Sequence, residues 1–221
     1  MQHFPIFLAV EGRRIVISGG GDAAVAKLRL LMKTEAHLTV IASEVAAEIA
    51  DWELDGKLRV ILRNQEPGDA LCAALFYAAN DDEAEDLRVT LLAQADGALT
   101  NWVDNLARSQ FITPAIVDRD PVTIAIGTEG AAPVLARAIK ADLESRLPVA
   151  LGPLARIGKT FRKAVEALPF GRPRRDFWRD YFFNAGPEAI KGGDKAVQTT
   201  LETLLSDHLE RKGKPVSYTH L

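Results

Sequence analysis

The stretch RIVISGGGDAAVAK, residues 14–27, decides the fold of this chain. Its apolar, β-branched run predicts a strand over Arg14–Ser18, and the glycines that follow predict a tight turn into a helix. Gly19, Gly21 and Ala24 match a G-x-G-x-x-A pattern. In that pattern the first glycine permits the turn, the second lets phosphate approach the backbone, and the alanine packs the helix on the strand. Free N–H groups at the helix start favour an anion. We therefore predict a dinucleotide site, with a plain structural turn as the alternative.

The next elements are those of a βαβ unit. A predicted helix over Asp22–Glu35 has about the length that a βαβ crossover requires, and it leads to a second predicted strand, His37–Ile41. The residue that binds the adenine ribose is expected about twenty positions beyond the glycines. No acid ends this strand, but Ser43 and Glu44 follow it and offer acceptors for the ribose hydroxyls. The choice between NAD and NADP stays open at this point.

Short apolar runs continue to alternate with amphipathic stretches as far as Trp102. This alternation predicts an α/β fold with a Rossmann-like, doubly wound parallel sheet. The further predicted elements are strands over Leu58–Leu62, Ala74–Ala79 and Leu99–Trp102 and helices over Glu44–Leu54 and Asp82–Asp96.

The pattern changes after Trp102. Two β-rich runs, Phe111–Val117 and Val122–Ile126, predict a hairpin, and a helix starts at Pro133. Two strands do not form a stable sheet alone, so a second copy of the chain is expected to complete it. We predict an NAD-binding domain over 1–108, a dimerisation β/α region over 109–147 and a helical domain over 148–215. The last residues, 216–221, continue no pattern and are interpreted as a non-native tail.

Composition narrows the class of protein. The chain has 221 residues, is 48% hydrophobic and carries a net charge of −3, so it can form a core and does not have the basicity of a nucleic-acid-binding protein. The single cysteine, Cys72, lies in an apolar run and predicts a small buried thiol in a reducing compartment. No apolar stretch has membrane-spanning length, and the amino terminus lacks the charged start and apolar core that are typical of a signal peptide. We expect a cytoplasmic protein with no membrane or nucleic-acid partner.

The charges are distributed unevenly. Residues 41–86 contain twelve acidic and three basic residues, whereas residues 151–180 contain eight basic and three acidic ones. The basic block is interpreted either as a solvated helix face or as a surface that attracts a polyanion. Four aromatic residues between 177 and 182 recur at helical intervals and are interpreted as core packing, with a ligand lid as the alternative.

Two further segments offer chemistry. Asp104 follows the strand Leu99–Trp102, and ligands of open α/β sheets gather at such strand ends. Strand alternation predicts that Trp102 and Asp104 share a face. A carboxylate there suits proton exchange with a substrate, and a turn aspartate is the alternative. The loop Gly127–Ala132 is either a second anion site or a plain connection, with Arg137 nearby to add a cation. The four histidines lack metal-ligand spacing.

Together these residues resemble the N-terminal module of siroheme synthase, the precorrin-2 dehydrogenase/sirohydrochlorin ferrochelatase family. The resemblance covers nearly the whole chain before the tail. It rests on FPIF at 4–7, GGGD at 19–22, N-x-V-D at 101–104, FI-x-P at 111–114, PVLAR at 133–137 and RRDFW at 174–178.

The resemblance implies a homodimer that oxidises precorrin-2 to sirohydrochlorin with NAD and inserts Fe²⁺, as a substrate, to give siroheme. It implies that Asp104 is catalytic in both reactions. The implied cofactor-binding residues are Gly19, Gly20, Gly21, Asp22, Ala23, Ser43 and Glu44, and the implied substrate-binding residues are Thr128, Gly130 and Arg137.

This sequence also departs from the family. Leu106 and Ala115 replace a proline and a serine that are common there, and Gly127-Thr128-Glu129 replaces a serine-rich loop. In fused members of the family, a uroporphyrinogen-III C-methyltransferase that uses S-adenosylmethionine follows, so we expect this chain to be truncated before one. A chelatase without dehydrogenase activity and a non-catalytic NAD-binding protein remain alternative functions.

Overall fold

The structure is a computed structural model that describes residues 1–210. The chain divides into two compact units. The first contains Met1–Thr113 and the short segment Glu129–Ala131, and the second contains Pro114–Thr128 and the residues from Ala132 onward. Each unit has an apolar core of its own.

Five parallel strands form the centre of the first unit: β1 (Arg14–Ser18), β2 (His37–Ala42), β3 (Arg59–Leu62), β4 (Ala73–Ala78) and β5 (Leu99–Trp102). Their order across the sheet is β3-β2-β1-β4-β5. Because β2 and β4 lie on opposite sides of β1, the direction of winding reverses there and leaves a crevice at the carboxyl ends of β1 and β4. This arrangement confirms the predicted α/β class.

The helices of this unit are α1 (Asp22–Leu31), α2 (Ala47–Leu54) and α3 (Glu83–Ala95). They cover both faces of β1, which explains why its sequence is apolar without alternation. Ile15 and Ile17 pack with Ala24 of α1 on one face, and Val16 packs with Val89 of α3 on the other. All five side chains are fully buried. The small side chain of Ala24, the last residue of the glycine pattern, allows α1 to pack closely on β1.

Two helix ends differ from the sequence prediction, and a tertiary contact accounts for the first of them. α2 begins at Ala47, three residues later than predicted, since the N–H of Ala46 donates to the carbonyl of Gly20 at 2.8 Å. The residues between β2 and α2 therefore form a loop over the glycine turn. α1 ends at Leu31, four residues before its predicted end.

The segment Phe111–Thr113 belongs to the first unit and not to the hairpin. The side-chain amide of Asn101 donates to the carbonyl of Phe111 at 2.8 Å, and the ring of Tyr77 packs edge-on against Phe111 with 5.4 Å between centroids. The Tyr77 hydroxyl lies 3.2 Å from the hydroxyl of Thr113, and burial raises the pKa of Tyr77. These contacts explain why the first hairpin strand begins at Ala115, four residues later than predicted.

The second unit contains a hairpin followed by helices. Its elements are β6 (Ala115–Arg119), β7 (Val122–Ile126), α4 (Pro133–Arg146), α5 (Leu151–Val165), α6 (Arg172–Asp180), a π-helical turn (Tyr181–Ala185), α7 (Gly186–Ala189), a 3₁₀ turn (Ile190–Gly192) and α8 (Asp194–Glu210). Within residues 1–210, the antiparallel strands β6 and β7 pair only with each other. Arg119 of β6 ties the hairpin to the end of α4 through the carbonyls of Glu144 and Leu147, at 2.8 and 3.2 Å.

Aromatic residues fill the core of the helical part, as predicted. Phe177 and Tyr181 are fully buried, and Trp178 and Phe182 pack against them. The Tyr181 hydroxyl donates to the carbonyl of Leu154 at 2.8 Å, and burial raises the pKa of Tyr181 to about 12.

The predicted burial of Cys72 is wrong. Cys72 is exposed and has a φ of +60°, because it lies in the turn that precedes β4 and not within the strand. Within residues 1–210, none of the helices combines the length and the apolar character needed to cross a membrane.

Candidate functional site

A cleft of about 310 Å³ lies at the carboxyl edge of the five-stranded sheet. The segments that follow four neighbouring strands line it: residues 18–21, 41–44, 64–65 and 80–82, together with Glu85 of α3. This is the edge at which open α/β sheets bind their ligands. The cleft therefore lies where the glycine pattern predicts a dinucleotide.

The first two glycines of the turn are required by the fold. Gly19 has a φ of +119°, and a Cβ there would lie 2.0 Å from the carbonyl oxygen of Ala79. A Cβ on Gly20 would lie 2.1 Å from the carbonyl oxygen of Glu44. Sequence reasoning assigned the turn to Gly19, which this geometry confirms. The G-x-G pattern allows any residue at its middle position, so sequence reasoning missed that position 20 has room only for glycine.

Gly21 differs from its two neighbours. It precedes α1 with a φ of −88°, and a Cβ there would have only the Asp81 Oδ2 atom within 4 Å, at 3.1 Å. Because Gly21 has no side chain, it offers no cap to the first-turn N–H groups of α1. Such N–H groups form an anion site at a helix N-terminus. The open space and the free donors together fit a pyrophosphate.

The other predicted cofactor residues surround this turn. Ser43 and Glu44 are exposed and line the cleft directly after β2. Asp22 and Ala23 form the first turn of α1 and lie outside the lining of the cleft. The position of Ser43 and Glu44, directly after β2, suits the ribose hydroxyls of a dinucleotide.

Acidic side chains also face the cleft, and two of them are satisfied locally. Asp82 caps α3 by accepting the N–H groups of Ala84 and Glu85, at 2.9 and 3.2 Å. Glu85 in turn accepts hydrogen bonds from Nε and Nη2 of Arg88, at 2.7 and 2.6 Å. Their charge is therefore partly neutralised by a helix N-terminus and by a guanidinium.

Asn80 is a cleft residue that sequence reasoning missed. Its backbone and side-chain N–H groups both donate to Oδ1 of Asp86, at 3.0 and 2.7 Å, and its side chain reaches the hydroxyl of Ser18 at 3.3 Å. Asp86 is buried, and burial raises the pKa of its carboxyl. This network fixes Asn80 at the end of β4, beside the glycine turn. The signal was available, since Asn80 follows a predicted strand.

Asp104 lies beyond β5, at the same edge of the sheet. β5 ends at Trp102, so the predicted alternation does not extend to Asp104, and the expected shared face is not formed. Asp104 is exposed with a φ of +61°, in a turn closed by the N–H of Asn105 and the carbonyl of Trp102 at 3.1 Å. It is outside the lining of the cleft. β5 is two strands from β1, which is about 10 Å at the usual strand spacing.

The predicted substrate residues fall in both units. Gly130 belongs to the first unit, where a Cβ on it would lie 2.5 Å from the side chain of Leu106, two residues beyond Asp104. Next to it, Glu129 accepts the backbone N–H groups of Gln2 and His3, at 3.1 and 3.2 Å, and the ring of His3. These bonds, above all that of the His3 ring, lower the pKa of Glu129. Thr128 and Arg137 belong to the second unit.

The basic block divides into structural and free cations. Arg156 binds Asp120, two arginines bind Asp176, and Arg174 donates to the carbonyls of Glu166 and Leu168. Within residues 1–210, the remaining four cations form no ion pair: Lys159, Arg162, Lys163 and Arg175. The first three lie on one exposed side of α5.

Comparison with known proteins gives a family. Residues 6–115 match a model described as putative NAD(P)-binding, and residues 150–205 match the sirohaem synthase dimerisation region. A siroheme synthase of Chromobacterium violaceum is 41% identical over 198 residues, which are 89% of this chain and 42% of that protein. One of Pseudomonas aeruginosa is 38% identical over 210 residues, which are 95% of this chain and 44% of that protein.

This chain belongs to the siroheme synthase family. It spans less than half the length of these two curated relatives. Among solved structures, it is similar to SirC, precorrin-2 dehydrogenase, with a TM-score of 0.68 and 22% identity over 94% of this chain and 100% of that one. At this identity the likeness shows a shared fold.

Proposed function

We propose that this chain oxidises precorrin-2 to sirohydrochlorin with NAD⁺ as the hydride acceptor. The observation that carries the proposal is the cleft at the glycine turn, where the Gly21 backbone is open and α1 presents free N–H groups. Two comparisons support this proposal: the similarity to siroheme synthases and the match of residues 6–115 to an NAD(P)-binding model. The neighbouring fold belongs to a protein named as a precorrin-2 dehydrogenase.

Different residues around the cleft would bind different parts of NAD. Gly19–Gly21 and the first turn of α1, which includes Asp22 and Ala23, would bind the pyrophosphate through N–H groups. Ser43 and Glu44 would accept the ribose hydroxyls. The exposed Glu44 carboxylate disfavours a 2′-phosphate, which supports NAD over NADP. When bound, NAD⁺ supplies the hydride acceptor and leaves as NADH.

Asp104 is our candidate for the proton acceptor. The oxidation removes a hydride and a proton from precorrin-2, and the proton needs a base. Asp104 is exposed at the carboxyl edge of the sheet, and a turn fixes its backbone. Within residues 1–210, its carboxylate forms no ion pair and no side-chain hydrogen bond. The carboxylate oxygens are therefore accessible to a bound substrate and suitable as acceptors of that proton.

We also propose that the chain inserts Fe²⁺ into sirohydrochlorin, because its relatives are named siroheme synthases. Two pyrrole N–H protons leave as Fe²⁺, a substrate here, binds the four ring nitrogens. Asp104 would accept protons in this step as well. Thr128, Gly130 and Arg137 are the proposed contacts to the carboxylate-rich ring, for which backbone N–H groups and a guanidinium are suitable partners.

A homodimer in the cytoplasm completes the proposal. The dimerisation-region match of residues 150–205 and the two-stranded sheet β6–β7 support association with a second copy. The proposed domain bounds are those of the sequence prediction: an NAD-binding domain over 1–108, a dimerisation region over 109–147 and a helical domain over 148–215. Residues 109–113 pack with the first unit, and the match to the dimerisation model falls in the third domain, so we propose that the helices take part in association together with the hairpin. The interpretation of 216–221 as a non-native tail lies outside the described residues.

The test is to incubate the full chain with precorrin-2 and NAD⁺ and to follow NADH and sirohydrochlorin by absorbance. Asp104→Asn is the decisive variant, since Asn tolerates the φ of +61° that would strain Ala. We expect the variant to bind NAD normally and to lose about 100-fold or more in the rate of oxidation. Asp51→Asn, which changes an exposed acid on α2, is the matched control.

The outcomes separate the candidate functions. A chelatase without dehydrogenase activity would insert Fe²⁺ into supplied sirohydrochlorin but form no NADH. A non-catalytic NAD-binding protein would bind NAD and do neither. An Asp104→Asn variant that oxidises precorrin-2 at the normal rate would remove Asp104 from the mechanism.

A further inference from the structure

Gln65 lines the cleft directly after β3, yet its side-chain amide has no partner. Only 2% of the residue is exposed, and within residues 1–210 neither Oε1 nor Nε2 forms a hydrogen bond. A buried polar group without a partner is destabilising, and native proteins contain few of them. The other such side-chain atom in the described part of the chain is the hydroxyl of Thr90, which is outside the lining of the cleft.

The backbone around Gln65 is fixed from two sides. Arg88 of α3 donates to the carbonyl of Gln65 at 3.0 Å, while Glu85 holds the same guanidinium. Arg63 donates to the carbonyl of Asn64 at 2.9 Å. The position of Gln65 is therefore set by the protein, and only its side-chain torsions remain to be adjusted when a ligand binds.

The strand order indicates which part of a dinucleotide meets Gln65. The pyrophosphate site is at the end of β1, and the ribose acceptors Ser43 and Glu44 are at the end of β2. The base continues from the ribose, away from the pyrophosphate. The next strand in that direction is β3, and the residues that follow it in the lining are Asn64 and Gln65.

We propose that the amide of Gln65 recognises the adenine base of NAD. This inference rests on the proposed dinucleotide site. A carboxamide has one acceptor and two donors side by side, which match the N6 amino group of adenine and a ring nitrogen next to it. A rotation of the amide toward the cleft lets Oε1 accept from the amino group and Nε2 donate to the ring nitrogen. Both orphaned atoms of Gln65 then have partners.

The test compares NAD with 1,N⁶-etheno-NAD, in which a bridge removes the N6 donors and the N1 acceptor but leaves the rest of the molecule unchanged. Dissociation constants for both are measured by calorimetry on the full chain and on Gln65→Met, which keeps the length of the side chain. We expect Gln65→Met to weaken NAD binding and to reduce the preference for NAD over the etheno compound by about ten-fold, as the loss of a bidentate base contact requires.

Thr90→Val is the matched control. It also removes a buried polar atom without a partner, so both variants should melt at or above the temperature of the unmodified chain. Only Gln65→Met should change the preference between the two dinucleotides. If the unmodified chain binds NAD and Gln65→Met leaves the preference unchanged, the adenine inference is overturned and the NAD site stands. If the unmodified chain binds no NAD, both fall.

Discussion

Two neighbouring glycines give a direct test of the site, because the same added methyl group should act on different properties. At Gly20, a Cβ would lie 2.1 Å from the carbonyl oxygen of Glu44 and 2.8 Å from Cα of Val45, both backbone atoms. At Gly21, it would meet only the end of the Asp81 side chain, at 3.1 Å. We predict that Gly20→Ala damages the fold and that Gly21→Ala damages NAD binding.

The size of each effect follows from the contacts. Real Cβ atoms come no closer than 3.0 Å to such an atom, so in Gly20→Ala the Glu44 loop must move by the difference, 3.0 − 2.1 = 0.9 Å. The bond from the Ala46 N–H to the Gly20 carbonyl is then lost. Overpacking costs about 1–3 kcal/mol and the hydrogen bond about 1 kcal/mol, which gives about 2–4 kcal/mol in the free energy of unfolding.

Gly21→Ala should leave stability nearly unchanged. Its φ of −88° is allowed for alanine, so no backbone strain arises. The lower entropy of the unfolded chain contributes about 0.4–1 kcal/mol, and the poorer helix cap removes a similar amount. The methyl group, however, occupies the space through which phosphate reaches the N–H groups of α1. We expect the Kd for NAD to rise at least about ten-fold, which is 1.4 kcal/mol.

Hydrogen exchange of peptides within residues 14–46, measured by mass spectrometry, reports the local stability. Exchange in Gly20→Ala should be about 30- to 800-fold faster than in the unmodified chain, and in Gly21→Ala it should be nearly unchanged. Calorimetry gives the Kd for NAD of Gly21→Ala. Normal NAD binding by Gly21→Ala would refute the pyrophosphate site, and normal exchange in Gly20→Ala would refute the contact with Glu44.

Two further predictions concern acids. Burial raises the pKa of Asp86 in the folded state, so the folded protein binds this proton more tightly than the unfolded chain does, and the contribution of Asp86 to stability falls as pH rises above about 3.9. Asp86→Asn keeps the acceptor for Asn80, so urea melts should show it gaining stability relative to the unmodified chain between pH 4 and 7, with Asp86→Ala as the destabilised control. Glu44→Gln should improve NADP binding relative to NAD by about five-fold, since a carboxylate about 4 Å from a phosphate contributes about 1 kcal/mol of repulsion in water. An unchanged NADP-to-NAD ratio in calorimetry would contradict that placement of Glu44.

The elements whose neighbours are local in sequence were predictable. β1, β5 and β7 have the predicted bounds, and Asp82 caps α3 as its position before an acidic first turn indicates. The glycine pattern was equally informative, because the conformation at Gly19 follows from a strand that must turn at once into a helix. These features depend on a few adjacent residues, and the sequence displays them directly.

The features that sequence reasoning missed depend on residues that are distant in the chain. The start of β6 at Ala115 follows from contacts of Phe111 with Tyr77 and Asn101, which come from two other strands. The requirement at Gly20 arises from the Glu44 backbone, beyond the next strand. Cys72 shares its apolar run with β4, but a turn one residue before the strand exposes it. None of these contacts leaves a periodic pattern.

The acidic excess of residues 41–86 also has a different meaning in three dimensions. As a charge count it indicates a surface that repels polyanions. In the fold, Glu48 binds Arg29, Asp69 binds Arg63, and Asp82, Glu85 and Asp86 bind N–H groups or arginine near α3. Glu44 and Asp81 are the acids of the cleft that form no such bond within residues 1–210. The electrostatic repulsion of a bound dinucleotide therefore comes mainly from Glu44 and Asp81, which lie on opposite sides of the glycine turn. The N–H groups at the start of α1 lie between them, and their attraction for the pyrophosphate must exceed that repulsion.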